Sequence, residues 1–432
     1  MGSEQESSVG GSRGTRLELF AGKGGVGKTT LACATAMAYR AAGECVLLAS
    51  LDQAHSLGDA LSHRFPHAPG SVAGVTSVLP GLDVIEVDSL ALLEDRFREV
   101  VRLLGGAGHE HGLDLGSLDP AELTGLPGVQ ELLMLSEIAR FADEGDWDVI
   151  VVDCPPTADM LRIVTGPSSL LGYLDRIWPA HARAMSAGGR DLRRAIVAVT
   201  AERIAGAVAR VRDLLADRTR TGMRLITVAE RVAVAESVRV RSAAALLDLR
   251  LDEVLVNKVL PPLPDAEPSE HPAVRWYAER RAEQLAVIAD LRRRIPDLPV
   301  RIAHHSGSEP VGAEPLAALA AETRGNRAGV AADPMLGDDA AVRGARPGEP
   351  QVRLESGSGL QSVYALRLAL PVVDPATLRL GRVEDDLIVG ADGIRRRLRL
   401  APVLRRCTVD GAELDGGLLV VRFRPDPEVW PR

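Results

Sequence analysis

Cysteine is scarce in this chain, and its few cysteines stand far apart. Four occur in 432 residues, at Cys33, Cys45, Cys154 and Cys407, and no two of them form a C-x-x-C pair. Disulfide scaffolds and cysteine zinc sites both need clustered or paired cysteines. The sequence therefore argues against both within a single chain, and it favours a protein of the reducing cytoplasm.

Long apolar runs and an excess of positive charge are also missing. No run approaches the ~18–20 apolar residues that a membrane span needs, and residues 1–15 are a flexible, polar start without the apolar core of a signal peptide. The net charge is −8, which argues against a general binder of nucleic acid or anionic membranes. We therefore expect a cytoplasmic protein with no stable membrane insertion and no nucleic-acid partner.

Lysine is rare where arginine is common. The chain has 51 lysine and arginine residues, and only Lys23, Lys28 and Lys258 are lysines. Two of these three stand five positions apart in one segment, LELFAGKGGVGKTT, at residues 17–30. Lysine carries a compact point charge, whereas arginine carries a broad planar fork. The pattern predicts that this segment needs small ammonium groups.

The same segment fits the phosphate-loop pattern G-x-x-x-x-G-K-[ST], with an apolar strand before it and a helical sequence after it. In such a loop, backbone N–H groups and a helix N-terminus converge on a phosphate. Lys28 would reach the β and γ phosphates and Thr29 would hold Mg²⁺. A merely flexible glycine-rich loop is the alternative. The residues predicted to bind nucleotide here are Gly22, Gly24, Gly25, Val26, Gly27, Lys28, Thr29 and Thr30.

Strand-like and helix-like segments alternate over residues 16–325. The V-I-V-V run at 149–152 is typical of a strand buried on both faces, as in a parallel sheet. The alternation predicts an α/β domain with a doubly wound, mostly parallel sheet whose ligands bind at the strand C-termini. Helical inserts are predicted at 89–145, with a break at 105–120, and at 168–220, with breaks at GPSS and SAGG.

The last part of the chain has a different character. Residues 326–359 are rich in Gly, Ala, Asp and Pro and are predicted to be a flexible linker. Residues 360–426 contain short alternating strands separated by turns, which predicts a small all-β sandwich. We interpret the arginine run at 395–397 as a solvated strand face.

Two aspartates stand at the ends of predicted strands. A carboxylate at Asp52 would orient the water that attacks the γ-phosphate, or it would cap the next helix; residue type alone favours the cap. Asp153 closes the V-I-V-V strand. Because a buried carboxylate is costly without a partner, we expect Asp153 to reach Mg²⁺, directly or through water.

Several motifs resemble one family of ATPases. G-K-G-G-V-G-K-T-T resembles the deviant phosphate loops of the ArsA, partition (ParA) and MinD group, which implies that Lys23 crosses a dimer interface to the partner's nucleotide. S-L-D-Q-A-H-S-L resembles the first switch of ArsA and tail-anchored-protein targeting ATPases, with Asp52 as the water-positioning residue. D-C-P-P-T-A-D-M-L-R resembles their second switch, with Asp153 at the metal and Ala158-Asp159 in place of the usual Gly-His.

Further matches fall on the adenine side and in the tail. Asn257, in V-N-x-x-x-P, is implied to read the adenine edge, Pro315 to pack on the base, and Glu131 to lie near the nucleotide and the dimer interface. The spacing A-x-x-x-G-x-L from Ala412 to Leu418 resembles an α-crystallin (small heat-shock) domain. The ATPase resemblance covers about residues 16–322.

The resemblance implies ATP hydrolysis with ATP and Mg²⁺ as cofactors, and leaves three functional hypotheses. The first is a homodimer whose nucleotide state gates binding of a client protein with an exposed hydrophobic segment, or of a membrane-protein partner. Residues 170–178, LLGYLDRIW, are a candidate for that surface, although they suit an ordinary core equally well. The second is a metalloid-efflux ATPase, against which the single phosphate loop and the missing cysteine cluster argue. The third is a ParA- or MinD-like positioning ATPase.

Overall fold

The computed structural model describes residues 14–52, 56–65, 74–86, 92–95, 98, 129–188, 192–263, 271–325, 350–371 and 373–430. Most of the predicted flexible N-terminus, the predicted break at 105–120 and residues 326–349 of the predicted linker lie outside these ranges. Within them every helix is too short or too polar to span a bilayer.

An eight-stranded sheet forms the centre of the first domain, in the order β3-β4-β2-β5-β1-β6-β7-β8. Neighbouring strands are parallel except β3 and β4, which form an antiparallel edge that the sequence did not predict. The strands are β1 Arg16–Gly22, β2 Val46–Ser50, β3 Thr76–Leu79, β4 Leu82–Glu86, β5 Val149–Asp153, β6 Thr221–Val228, β7 Leu251–Val259 and β8 Val300–His304.

Helices cover both faces of this sheet. Leu17 and Leu19 of β1 pack into the core on one face and Phe20 into the core on the other, as the two-residue period of a strand requires. The doubly wound α/β prediction is therefore confirmed. The helices of this domain are α1 Lys28–Ala41, α2 Ser56–Leu61, α3 Val129–Glu144, α4 Thr157–Ile177, α5 Ala180–Ala187, α6 Leu192–Ala216, α7 Arg231–Leu247, α8 Pro272–Arg294 and α9 Ala313–Gly325. A short helix in the tail is α10 Pro402–Arg405.

The predicted break at GPSS is wrong. Helix α4 runs through this segment and keeps Pro167 buried inside it. A proline removes one backbone hydrogen bond, but α4 packs against α6, and that packing offsets the loss. The break at SAGG is confirmed, because α5 ends at Ala187 and Gly188 is its C-terminal cap.

A buried arginine cross-links the sheet at the end away from the phosphate loop. The Arg224 guanidinium on β6 lies 2.8 Å from a carboxylate oxygen of Glu18 on β1 and 3.4 Å from one of Glu253 on β7. It also donates a 2.8 Å hydrogen bond to the Tyr39 hydroxyl on α1. One planar fork thus reaches three elements, which a single ammonium would do poorly.

The tail forms two antiparallel sheets around its own core, which confirms the predicted β-sandwich. One sheet has the order β14-β15-β10-β9 and the other β11-β12-β13. The strands are β9 Gln351–Ser356, β10 Val363–Ala369, β11 Arg379–Val383, β12 Asp386–Ala391, β13 Ile394–Arg399, β14 Cys407–Asp415 and β15 Leu418–Pro425.

Strand β9 lies inside the range predicted as linker, so the predicted linker boundary at 359 is wrong. The strand pairs with β10, and the folded domain therefore begins at least as early as Gln351. β9 is an edge strand whose residues are almost all exposed. Its apolar alternation is limited to Val352 and Leu354, which is a short strand pattern beside a segment rich in glycine and proline.

The tail packs on the C-terminal end of α7. Leu246 is fully buried within the core of the β domain. Arg396 donates a 3.0 Å hydrogen bond to the Leu246 carbonyl and lies 3.6 Å from the Asp248 carboxylate. Interpreting the whole arginine run as solvated is therefore wrong for Arg396, because the alternation of β13 turns this residue inward while Arg395 is exposed.

We expect Arg396→Ala to destabilise the protein by about 1–2 kcal/mol, because the last carbonyl groups of a helix need donors and Arg396 supplies a charged one. Arg395→Ala, the same change one position along β13, should stay within about 0.5 kcal/mol of wild type. Urea unfolding of both variants measures the difference. Equal midpoints would show that the contact contributes no stability.

Candidate nucleotide-binding site

The phosphate loop connects β1 to α1, and the structure explains why several of its positions are glycine. Gly25 and Gly27 have φ angles of +78° and +91°, a region that favours glycine. A Cβ on Gly27 would lie 2.4 Å from Nδ2 of Asn257, and one on Gly22 would lie 2.3 Å from the Ile226 carbonyl oxygen. The loop is thus pressed against β6 and β7, and side chains at these positions would displace it.

Helix α1 begins directly after the loop, with Lys28 as its first residue. Lys28 is buried, and its Nζ lies 3.4 Å from the Lys23 carbonyl oxygen. Gly27, the N-terminal cap, offers no side chain to the first N–H groups, and the first turn contains no acidic residue. A helix start of this kind suits an anion. Thr30 follows in the same turn and is half-buried.

Thr29 and Asp153 are brought together as the sequence predicted. The Thr29 hydroxyl donates a 2.6 Å hydrogen bond to Oδ2 of Asp153 and lies 3.2 Å from the Ser56 hydroxyl. Asp153 is fully buried at the end of β5, and its Oδ1 has no hydrogen-bond partner. Burial raises the pKa of Asp153 to about 6, against the Thr29 hydrogen bond and the Lys28 charge, which lower it.

These residues fit a magnesium ion. A carboxylate oxygen without a partner, next to a hydroxyl group, is the kind of oxygen donor that Mg²⁺ prefers, and a cation there would relieve the buried charge. Thr29 and Asp153 would hold it, as predicted. Ser56 is a residue that the sequence interpretation missed; its position in the D-Q-A-H-S motif was the available signal.

Asp52 follows β2 at the same edge of the sheet. Its backbone N–H donates to the Ser50 hydroxyl at 3.0 Å, and its charge is one of the groups that raise the pKa of Asp153. Helix α2 begins only at Ser56, so Asp52 does not stand at its cap position. The position beside the Mg²⁺ residues suits the predicted role in orienting water, which stays a prediction.

The remaining predicted residues surround this centre less closely. Lys23 is exposed, and Glu131 stands in the first turn of α3. Asn257 is buried, and its amide nitrogen donates a 2.8 Å hydrogen bond to the Val26 carbonyl. Pro315 is exposed in the first turn of α9. The adenine contacts of Asn257 and Pro315 stay predictions, and for Asn257 they would fall to its amide oxygen.

A thiolate or histidine metal site does not emerge from the described residues, where no group of three potential ligands clusters. Cys154 is buried and burial raises the pKa of its thiol, which disfavours the thiolate that a soft metal needs. His304 lies 2.9 Å from Glu322, and His305 accepts from the Gly307 N–H. The histidines at 109 and 111 lie outside the described residues.

The sheet, the phosphate loop and the two switch aspartates define a P-loop ATPase carrying a small β-sandwich. The family described as "Anion-transporting ATPase" matches residues 15–324, and the "HSP20-like domain found in ArsA" matches residues 361–423. The chain therefore belongs to the ArsA family of anion-transporting ATPases and is an ATP-hydrolysing, nucleotide-binding enzyme. Both predicted resemblances, of the ATPase domain and of the tail, are confirmed.

Its relatives carry different names. "Protein Rv2184c" of Mycobacterium tuberculosis is 46% identical over 430 residues, covering 96% of this chain and 97% of its own. A Prosthecochloris vibrioformis protein, named as an arsenical pump-driving ATPase, is 26% identical over 403 residues and 90% of each chain. "ATPase asna-1" of Caenorhabditis elegans is 26% identical over 298 residues, covering 65% of this chain and 84% of its own.

We expect Lys28→Ala to abolish ATP hydrolysis and to weaken nucleotide binding by about 1.5–3 kcal/mol, because a charge-assisted contact is lost. Lys28→Arg should also lose binding, since a guanidinium does not fit this buried position. Turnover assays and calorimetric titration with ADP test both variants, with thermal unfolding as a check of folding. Wild-type turnover in Lys28→Ala would refute the assignment of the loop.

Proposed function

We propose that the protein is a Mg²⁺-dependent, homodimeric ATPase whose nucleotide state controls binding of a client protein with an exposed hydrophobic segment. The observation that carries the proposal is a set of exposed apolar side chains on α4, α5 and α6, of which α4 and α5 both pack on α6. Tyr173, Ile177 and Met185 are 59%, 67% and 78% exposed. Large apolar side chains exposed on neighbouring helices suit an interaction site. The others are Leu170, Val197, Val199 and Ile204.

The spacing of these residues supports a binding face. Leu170, Tyr173 and Ile177 follow the i, i+3, i+7 pattern of one helix face on α4. The alternative that this segment is ordinary core is therefore wrong for these three side chains. A face of this kind on α4 would suit an apolar helix of a client.

Helix α4 also provides a route from the nucleotide to the client surface. It begins at Thr157, four residues after Asp153, and ends at Ile177. A helix of 21 residues spans roughly 30 Å. A change at the second switch would therefore move the exposed apolar face, since a helix transmits displacement along its axis. Attack on the γ-phosphate by the water that Asp52 orients, followed by release of phosphate, would supply that change.

The dimer is supported by the position of Lys23. The loop already has its own buried lysine in Lys28, while Lys23 is exposed. A second ammonium is most useful on the γ-phosphate of a neighbouring subunit, where it would act like an arginine finger supplied in trans. We place this reaction in the cytoplasm, because all four cysteines are unpaired.

A mixing experiment tests the trans mechanism. Lys23→Ala should bind ATP normally and hydrolyse it slowly, since a finger contributes roughly 10³–10⁵ in rate. Asp52→Asn should also bind ATP without hydrolysis. In a mixed dimer, the Lys23→Ala subunit keeps its own Asp52 and receives Lys23 from the other subunit, so activity should partly return. Mixed dimers as inactive as either parent would show that Lys23 acts within its own chain.

Negative charge introduced into the exposed apolar face of α4 tests the proposed client surface. Tyr173→Asp combined with Ile177→Asp should weaken binding of a fluorescent apolar helical peptide at least about tenfold, because two carboxylates would enter an apolar contact. Trp276→Asp is the matched control, since Trp276 is 63% exposed on α8. Basal ATP hydrolysis should stay unchanged in both variants. Unaltered peptide binding by the double variant would remove this surface from the proposal.

A further inference from the structure

Lys258 is the one lysine outside the phosphate-loop segment, and the fold returns it to that loop. It stands near the end of β7 with an exposed side chain, and its Nζ donates a 3.0 Å hydrogen bond to the Gly25 carbonyl oxygen. We infer that Lys258 is a positioning residue for the nucleotide, which holds the Gly25–Val26 peptide so that the Val26 N–H faces the phosphates. The inference rests on nucleotide binding at this loop, and not on the proposed client or dimer.

The backbone at Lys258 is held in an unusual shape. Its φ is +58°, which costs about 1–2 kcal/mol for a residue other than glycine. The pairing of β7 with β8 changes register between Val256 and Val259, as at a β-bulge, which re-aims a side chain. The buried Gln284 of α8 fixes this irregularity, because its amide donates to the Lys258 carbonyl and accepts from the Leu260 N–H.

The contact of Lys258 with the Gly25 carbonyl also fixes the direction of the neighbouring N–H group, because the peptide is planar. In a planar trans peptide, a carbonyl and the following N–H point in opposite directions. Lys258 holds the carbonyl of Gly25 and the neighbouring Asn257 holds that of Val26. The N–H groups of Val26 and Gly27 therefore point away from β7. Adjacent N–H groups of this kind form an anion-binding concavity.

The choice of lysine agrees with this role. All three lysines of the chain lie in the loop or bond to it, whereas the arginines occupy sites such as Arg224, where one fork spans several partners. A single carbonyl oxygen needs only one donor, and the compact ammonium of lysine supplies it. The ammonium also adds positive charge beside the phosphates, as the helix start does.

The decisive variant is Lys258→Gly. Glycine accepts a positive φ without strain, so this variant removes the ammonium while keeping the backbone. We expect affinity for ADP and ATP to fall about tenfold, with KM for ATP rising and kcat changing less than about twofold, because Lys28 and Asp52 remain. The urea midpoint should not decrease, and Lys258→Arg, which keeps a donor, should recover part of the affinity.

Glu384→Gly is the matched control, since Glu384 is also a non-glycine residue of positive φ, at 52°, but in the exposed turn between β11 and β12. It should bind nucleotide like wild type. Wild-type affinity in Lys258→Gly, measured alongside Lys28→Ala, would overturn the inference while leaving the loop assignment intact if Lys28→Ala loses binding. A loss of affinity that comes with an equal loss of stability would also overturn it.

Discussion

The buried carboxylate of Asp153 is the constraint around which the nucleotide side of the molecule is organised. One of its oxygens accepts from Thr29 and the other has no hydrogen-bond partner, so the folded protein keeps an incompletely satisfied carboxyl group in a low-dielectric position. Thr29 belongs to α1, the residues after Asp153 lead into α4, and Asp52 acts on the same carboxylate. A cation at this point would therefore stabilise three elements at once.

Positive charge is divided between two residue types according to geometry. Arg224 and Arg396 hold together elements that come from distant parts of the chain, because each guanidinium reaches more than one acceptor. The lysines stay at the loop, where single carbonyl or phosphate oxygens require a narrow donor. This division explains how a chain dominated by arginine still needs lysine at three positions.

Local patterns were sufficient to predict the parallel sheet, the loop and the pairing of Thr29 with Asp153, because strand periodicity and loop motifs depend on neighbours in sequence. The features that were missed depend on distant contacts. Lys258 reaches Gly25 only through a bulge fixed by Gln284, and α4 passes Pro167 because α6 packs on it. Strand β9 is exposed, and its apolar alternation is limited to Val352 and Leu354. The contact of Arg396 with the end of α7 depends on where that helix lies.

The contact of α7 with the β-sandwich has a thermodynamic consequence. Leu246 is enclosed by the core of the tail, while residues at the other end of α7 line a small cavity together with Lys23. Undocking the tail would expose Leu246 and remove the donor at the last turn of the helix. A molecule that binds only the docked arrangement would therefore add part of its binding free energy to the stability of the ATPase domain, by mass action. The melting temperature of the enzyme would then rise with the concentration of such a molecule, even if the molecule did not contact the nucleotide.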